Sequence, residues 1–315
     1  MRRREFIKNS AILGAVAVFG GANLVFADES IKNSQGAKMQ TITLNNGVKM
    51  PIIGFGTFTL KDEICENAVE TAIKTGYRMI DTAEAYGNEK AVGKGIAKSG
   101  IDRKEIFLVT KVNFKSYENA EKAILNSLEN LQTDYLDLVL LHWPFANYYA
   151  AWRELEKFYE KGIIKSIGVS NFEPSQFIDL IAYNKVAPVI NQIETNLYCQ
   201  RVIEREWLDK KNIAHMSYAP LGQGKRNEMF NEPKVVELAK KYGKTSAQIL
   251  LRFLTQKNIV IIPRTTKPER IKENFDIFDF ELTSDEMANL TALDKNEVLI
   301  GNPQTPQKVE MSLKW

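Results

Sequence analysis

IDTAEAYGNE, residues 80 to 89, follows Arg78 and Met79 with no turn signal in between. An apolar run that reads as a buried strand therefore ends on Asp81, Glu84 and Tyr86. Polar side chains are costly to place where a buried strand runs out. One architecture gives them a purpose: in a closed (β/α)8 barrel the ligand site is built at the carboxyl ends of the strands, and polar residues there read as site residues.

The rest of the chain fits that reading. From residue 39 onward short apolar runs alternate with longer helical patterns. The strand candidates are residues 51–58, 78–83, 107–112, 136–143, 166–171, 188–194, 214–220 and 260–266, eight in all. Between them, residues 118–131 carry Ala120, Ala123, Ile124, Leu128 and Leu131 at helical spacing, and residues 149–159 carry Trp152, Leu155 and Phe158. Asn184, Gly243 and Gly162 punctuate helix ends, Pro174 and Pro268 helix starts. Eight strands alternating with helices predict an α/β fold with a parallel sheet closed as a (β/α)8 TIM barrel. Ahead of it, Met39 to Met50 reads as a β-hairpin turning at Asn45-Asn46-Gly47, an N-terminal cap on the barrel floor.

Before residue 39 the material changes. Arg2-Arg3-Arg4-Glu5-Phe6-Ile7-Lys8 is a short basic head, Ala11 to Phe26 is an apolar run interrupted by Gly14, Gly20 and Gly21, and Val25-Phe26-Ala27 offers a small-residue cleavage site. Residues 1–27 are therefore expected to be a signal peptide of the twin-arginine kind, residues 28–38 a short linker, and residues 39–315 a single barrel domain, exported to the periplasm. An uncleaved membrane anchor is the alternative, although the run is shorter than the roughly 20 apolar residues needed to cross a bilayer. Cleavage after Ala27 removes four of 42 basic and one of 39 acidic residues, leaving 38 of each. The apparent basicity then belongs to the leader, and no nucleic-acid partner or stable membrane contact is expected of the mature chain. Cys65 and Cys199 make no metal-ligand spacing and read as unpaired thiols; no metal is expected, and the chain is expected to be a monomer.

The eight strand ends supply, in order, Asp81 with Tyr86 just beyond, Lys111, His142, Ser170 with Asn171, Asn191 with Gln192, Tyr218, and Arg264. A phenol near its usual pKa of about 10 is a poor acid–base group at neutral pH, but a nearby ammonium favours the phenolate. Lys111 is expected to do that, with Asp81 holding the lysine charged and His142 donating to a carbonyl oxygen. The set suits protonation of a carbonyl oxygen while hydride reaches the carbon from elsewhere.

At this point the sequence resembles the aldo-keto reductases, NAD(P)H-dependent carbonyl reductases on a TIM barrel. GFGTF at 54–58, IDTAEAYGNE at 80–89, LVTKV at 108–112, YLDLVLLHWP at 135–144, IGVSNF at 167–172, INQIE at 190–194 and IPRTTKPERIKEN at 262–274 occur in that family's order, from about Thr41 to Leu293. The resemblance implies a catalytic tetrad of Asp81, Tyr86, Lys111 and His142. It implies Ser170, Asn171 and Gln192 at a nicotinamide carboxamide and Tyr218 stacked on the ring. Leu221, Gly222 and Gln223 would lie along the pyrophosphate. Arg264, Thr265 and Arg270 would take a 2′-phosphate, with Glu273 and Asn274 at the adenine. Many relatives have Lys-Ser where this chain has Arg264-Thr265; both changes keep the chemistry, and NADP(H) is the expected cofactor. The expected substrate is a small carbonyl compound, in a pocket walled by Phe58, Trp143 and His142, with Phe145, Tyr148 and Tyr149 on the loop behind. The tail from Gly301 to Trp315 is a candidate to close over the pocket, through contacts that the sequence does not reveal.

Each residue also has an ordinary structural reading: Asp81 as a helix cap, Lys111 as half of an ion pair, the tyrosines as packing, Ser170-Asn171 as a turn, Arg264 and Arg270 as a solvated face, His142 and His215 as buried, satisfied histidines. Their coincidence at one mouth is what favours a site. Two other functions stay open: a non-catalytic NADP(H)-binding partner subunit, and a barrel glycosidase using Asp81 and Glu84 as its carboxylate pair.

Overall fold

The structure, a computed structural model, describes residues 27–32, 38–300, 305–312 and 314. The expected leader therefore lies outside the described residues except for Ala27.

Eight parallel strands form the sheet: β4 (Phe55–Gly56), β5 (Met79–Asp81), β6 (Phe107–Val112), β7 (Leu138–Leu141), β8 (Ile167–Ser170), β9 (Ile190–Glu194), β10 (Ala214–Tyr218) and β11 (Val260–Ile261), each beside its sequence neighbour. The edges meet through a parallel bridge between Ile53 and Ile261, the Gly54 N–H donating to the Ile261 carbonyl (2.8 Å) and the Ile261 N–H to the Ile52 carbonyl (2.9 Å). The barrel is closed. Gly56 permits the seam: a Cβ there would stand 2.8 Å from the Ile262 carbonyl oxygen. All eight expected strands are present, most of them shorter than their apolar runs, whose ends belong to loops.

Two expectations ahead of the barrel are modified. The hairpin exists, β2 (Lys38–Thr43) against β3 (Lys49–Pro51), but Ala27–Lys32, the last residue of the expected leader and the start of the expected linker, forms β1 and pairs antiparallel with β2. The hairpin alone would leave one edge of β2 unpaired; β1 adds there and makes β2 the central strand of three. The turn is anchored to the barrel floor: Asn45 Nδ2 donates to the Pro188 carbonyl (3.0 Å) and Asn46 Nδ2 to the Lys165 carbonyl (3.2 Å), at the amino-terminal ends of two strands.

Strand parity sorts the core into two. Met79, Val109, Leu138, Leu140, Ile190, Met216 and Val260 pack with Ile42, Leu44, Met50 and Ile52 of the hairpin, filling the barrel's lower interior. Their neighbours Ile80, Leu108, Val139, Leu141, Ile167, Val169 and Ile261 pack outward against the helices. A side-chain period of two makes this division unavoidable. It also fixes what lies above the floor, because two residues beyond each inward apolar position comes another inward one.

The candidate active site

Counting two from Met79, Val109, Leu140, Ile190, Met216 and Ile262 gives Asp81, Lys111, His142, Gln192, Tyr218 and Arg264. Ser170 stands two beyond Gly168, where a Cβ would strike Ile190 and Leu140 inside the barrel. Parity thus carries these side chains to one mouth, where a cavity of about 940 Å³ opens. That is near the top of the usual range for small-molecule and cofactor sites.

Lys111 is wholly buried and donates to Asp81 Oδ1 (2.7 Å) and to the Thr82 carbonyl (2.8 Å). Gln192 Nε2 donates to the other Asp81 oxygen at 2.9 Å. The Lys111 ammonium lies 3.4 Å from the Tyr86 hydroxyl and 5.0 Å from its ring centre. The His142 ring meets Tyr86 edge-on at 5.7 Å. The turn carrying Tyr86 is fixed from below: Thr82 Oγ1 donates to Asn88 Oδ1 (2.7 Å), and Asn88 Nδ2 donates to the Thr57 and Leu60 carbonyls.

The electrostatics correct one expectation. Burial, helped by the Asp81 charge, pushes the Tyr86 phenol well above its ordinary value, the reverse of an ammonium-assisted fall. The reason is geometric: the Lys111 charge is committed to Asp81, and its nitrogen stands at the limit of hydrogen-bond range from the phenol. Tyr86 consequently keeps its proton. Burial also lowers Lys111, against the pull of Asp81. For His142, whose ring opens on the cavity, burial and then the Lys111 charge depress the imidazole to about 3. A neutral imidazole and a protonated phenol are two hydrogen-bond donors aimed into one space.

The remaining residues divide. Ser170 Oγ donates to the Gln192 carbonyl (2.9 Å), Asn171 Nδ2 to the His142 carbonyl (3.1 Å), and the Tyr218 hydroxyl to Asn171 Oδ1 (2.7 Å), so the fourth to seventh strand ends are knitted together. With Leu221, Gly222, Gln223 and Arg264 they line the cavity. Thr265 is buried and accepts from the Lys267 N–H; Arg270 is exposed on the helix Pro268–Phe275; Glu273 accepts from the Thr245 hydroxyl, and Asn274 is buried. These four are not among the residues that line the cavity.

Phe58, 47% exposed, lies 5.0 Å from the Tyr86 ring, and Trp143 stacks on Phe145 at 5.6 Å. Tyr148 and Tyr149 do not lie on the loop; they open the helix Tyr148–Glu160, where Tyr148 packs on Phe172 and the Tyr149 hydroxyl meets Asp179. The cap Asn147 starts the helix there. Cys65 and Cys199 are buried and unpaired, as expected. His215 accepts or donates at Thr195 (2.8 Å) through Nε2, but Nδ1 has no partner, so the expected satisfied histidine is only half satisfied. The sequence reading missed Gly56, Lys225, Arg226, Ile262, Ile300 and Lys308, all on the cavity wall. Ile262 was within reach, two residues before Arg264; Lys308 lies in the tail expected to close over the pocket but, like Ile300, follows no strand that would single it out.

The carboxylate-pair reading loses its second member. Glu84 accepts from the Asn113 N–H (2.7 Å) and the Ser116 hydroxyl (2.6 Å), turned away from Asp81, which is held by Lys111 and Gln192.

Fold and site together define a barrel oxidoreductase that reduces carbonyl compounds with a nicotinamide cofactor. The chain belongs to the Aldo/keto reductase family, whose profile matches residues 52–295. It is 39% identical over 270 residues to the methylglyoxal reductase of Escherichia coli (strain K12), spanning 85% of this chain and 98% of that one. It is 40% identical over 267 residues to the glyoxal reductase of Bacillus subtilis (strain 168), spanning 84% and 96%. Among solved structures it resembles the Bombyx mori aldo-keto reductase in complex with NADP, at 36% identity and a TM-score of 0.77 over 82% of this chain and 94% of that one. An aldo-keto reductase from a Medee basin deep-sea metagenome matches at 39% identity and a TM-score of 0.82, over 84% and 98%.

Proposed function

We propose that this chain reduces small aldehydes and ketones to alcohols with NADPH, Tyr86 supplying the proton. The observation that carries the reading is the buried Asp81–Lys111 pair set behind a protonated Tyr86, with neutral His142 beside it on the cavity wall. When bound, the reduced nicotinamide supplies hydride to the carbonyl carbon. Tyr86 and His142 hold the carbonyl oxygen, and Tyr86 gives it a proton as alkoxide charge develops. The phenolate left behind faces the Lys111 ammonium, which is where that charge matters.

The residues fit such a cofactor. Tyr218 presents a ring to the cavity, Ser170, Asn171 and Gln192 cluster amide and hydroxyl groups beside it, and Arg264 stands at the far wall. Arg264 and Arg270, near the start of Pro268–Phe275, suit the 2′-phosphate that distinguishes NADPH from NADH. The names of the two bacterial relatives make 2-oxoaldehydes such as methylglyoxal and glyoxal the first substrates to try.

The test is NADPH oxidation with methylglyoxal and with benzaldehyde, run beside a cofactor-binding titration. Turnover with binding supports the reading. Binding without turnover of any aldehyde would instead favour a non-catalytic partner subunit, and absence of both would remove the cofactor reading.

Export belongs with this proposal. The basic head and interrupted apolar run of residues 1–27 support a twin-arginine route to the periplasm. NADPH is made in the cytoplasm, and a route that carries folded proteins lets the enzyme travel with cofactor bound.

A further inference from the structure

We infer that Tyr117 is a positioning residue for the reaction: its buried hydroxyl grips the residue that follows His142 and so sets where the imidazole stands relative to Tyr86. The inference rests on the carbonyl-reduction reading above and extends it to a residue that does not line the cavity.

The strand β7 ends at Leu141, so His142 and Trp143 stand beyond its last regular pairing. Their backbone groups are nevertheless all engaged. The His142 N–H donates to the Val112 carbonyl (3.1 Å), and the His142 carbonyl accepts from Asn171 Nδ2 (3.1 Å). The Trp143 N–H donates to the Tyr117 hydroxyl (3.2 Å), which in turn donates to the Trp143 carbonyl (2.8 Å). One phenol thus satisfies both backbone groups of the residue next to His142, and with Asn171 it replaces the ladder that the strand no longer provides. Tyr117 is 1% exposed, and burial pushes its phenol up, so it stays protonated and keeps donating at any working pH.

Tyr117 is itself held. It belongs to the short 3-10 segment Phe114–Asn119, which follows β6, the strand that carries Lys111. Glu84 fastens that segment through the Asn113 N–H (2.7 Å) and the Ser116 hydroxyl (2.6 Å), and Glu84 opens the turn Glu84–Tyr86 that presents the proton donor. A continuous line therefore runs from the turn of Tyr86 through Glu84, Ser116 and Tyr117 to the peptide after His142. The two groups that must meet one carbonyl oxygen, the Tyr86 hydroxyl and the His142 ring, are braced against each other by side chains that do not line the cavity, with the two rings 5.7 Å apart. Such geometry is costly to lose, since misplacing a reacting group by about 1 Å can slow chemistry by about a hundredfold. It also gives Glu84, released from the carboxylate-pair reading, a part in supporting the site.

The experiment uses the full chain, NADPH and methylglyoxal under single-turnover conditions. Tyr117→Phe keeps the ring and removes both hydrogen bonds to Trp143. It should slow the chemical step about tenfold, with NADPH affinity little changed. Added to His142→Gln it should cost almost nothing further, because the residue it positions is already gone; a general structural loss would carry over undiminished. Ser116→Ala, which cuts the link to Glu84 and spares Tyr117, should give a smaller loss with the same dependence on His142, and it decides the question if Tyr117→Phe fails to fold. Wild-type rates in Tyr117→Phe, an equal loss with and without His142, or a loss of NADPH binding in step with the rate each overturns the inference while leaving carbonyl reduction standing. A wild type that turns over no aldehyde overturns both.

Discussion

At Lys111 the chain puts a fully buried ammonium against a buried carboxylate, and the pair is more demanding than either residue alone. Removing one partner of a buried pair leaves an unpaired charge and typically costs about 3–5 kcal/mol. Lys111→Met should lose stability on that scale in chemical denaturation as well as activity, and adding Asp81→Asn should recover much of the stability but none of the turnover. Failure of the second change to restore stability would mean that Asp81 is not left stranded by the first. His142 gives a pH signature. Its imidazole is held at about 3 rather than the ordinary 6.5, so between those values the unfolded chain binds a proton that the folded chain refuses. Stability must then fall as the pH drops from about 6.5 toward 3. Thermal melts at pH 7 and 5 should show a smaller loss for His142→Gln than for the wild type; His215, also held well below its usual value, leaves a residual slope. The identities of these residues were legible because strand parity dictates what faces inward. The direction in which Tyr86 is tuned was not, since it depends on burial and on which group captures the lysine charge.

Elements were legible to the extent that their signals are local. The Asn45-Asn46-Gly47 turn, the proline starts at Pro174 and Pro268 and the glycine end at Gly243 stand where the sequence put them. Strand lengths were overread, because the apolar runs continue into loops whose side chains are buried without pairing. The β1 strand was unreadable, since its partner is an edge that only the folded hairpin offers, and the buried Glu194 carboxylate, which accepts from the Leu299 and Ile300 N–H groups, joins residues more than 100 positions apart. The helix Pro268–Phe275 supplies a test at this scale. Arg270→Ala should weaken NADPH at least tenfold more than NADH, because only the former brings a 2′-phosphate to that helix start. Equal weakening of both, measured by fluorescence titration, would place the phosphate elsewhere.

For the molecule as a whole, a closed barrel with its floor capped and its mouth knitted by side-chain hydrogen bonds is a body that can bind its cofactor before the export proposed above. Binding adds native-state stability of about 2.7 kcal/mol at a hundredfold excess over Kd. Cell fractionation with sequencing of the mature terminus is expected to find a periplasmic chain beginning near Asp28; a cytoplasmic chain retaining residues 1 to 27 would refute export, and recovery in the membrane would favour an anchor. The central claim concerns the mouth rather than the address: the strand ends form one site in which Tyr86 gives the proton. Single-turnover reduction of methylglyoxal by Tyr86→Phe, measured with a parallel NADPH titration, tests it most directly. The account predicts at least a hundredfold slower chemistry, about the low end of general-acid effects, with NADPH affinity little changed; near-wild-type turnover with intact NADPH binding would contradict it and move the acid to another residue.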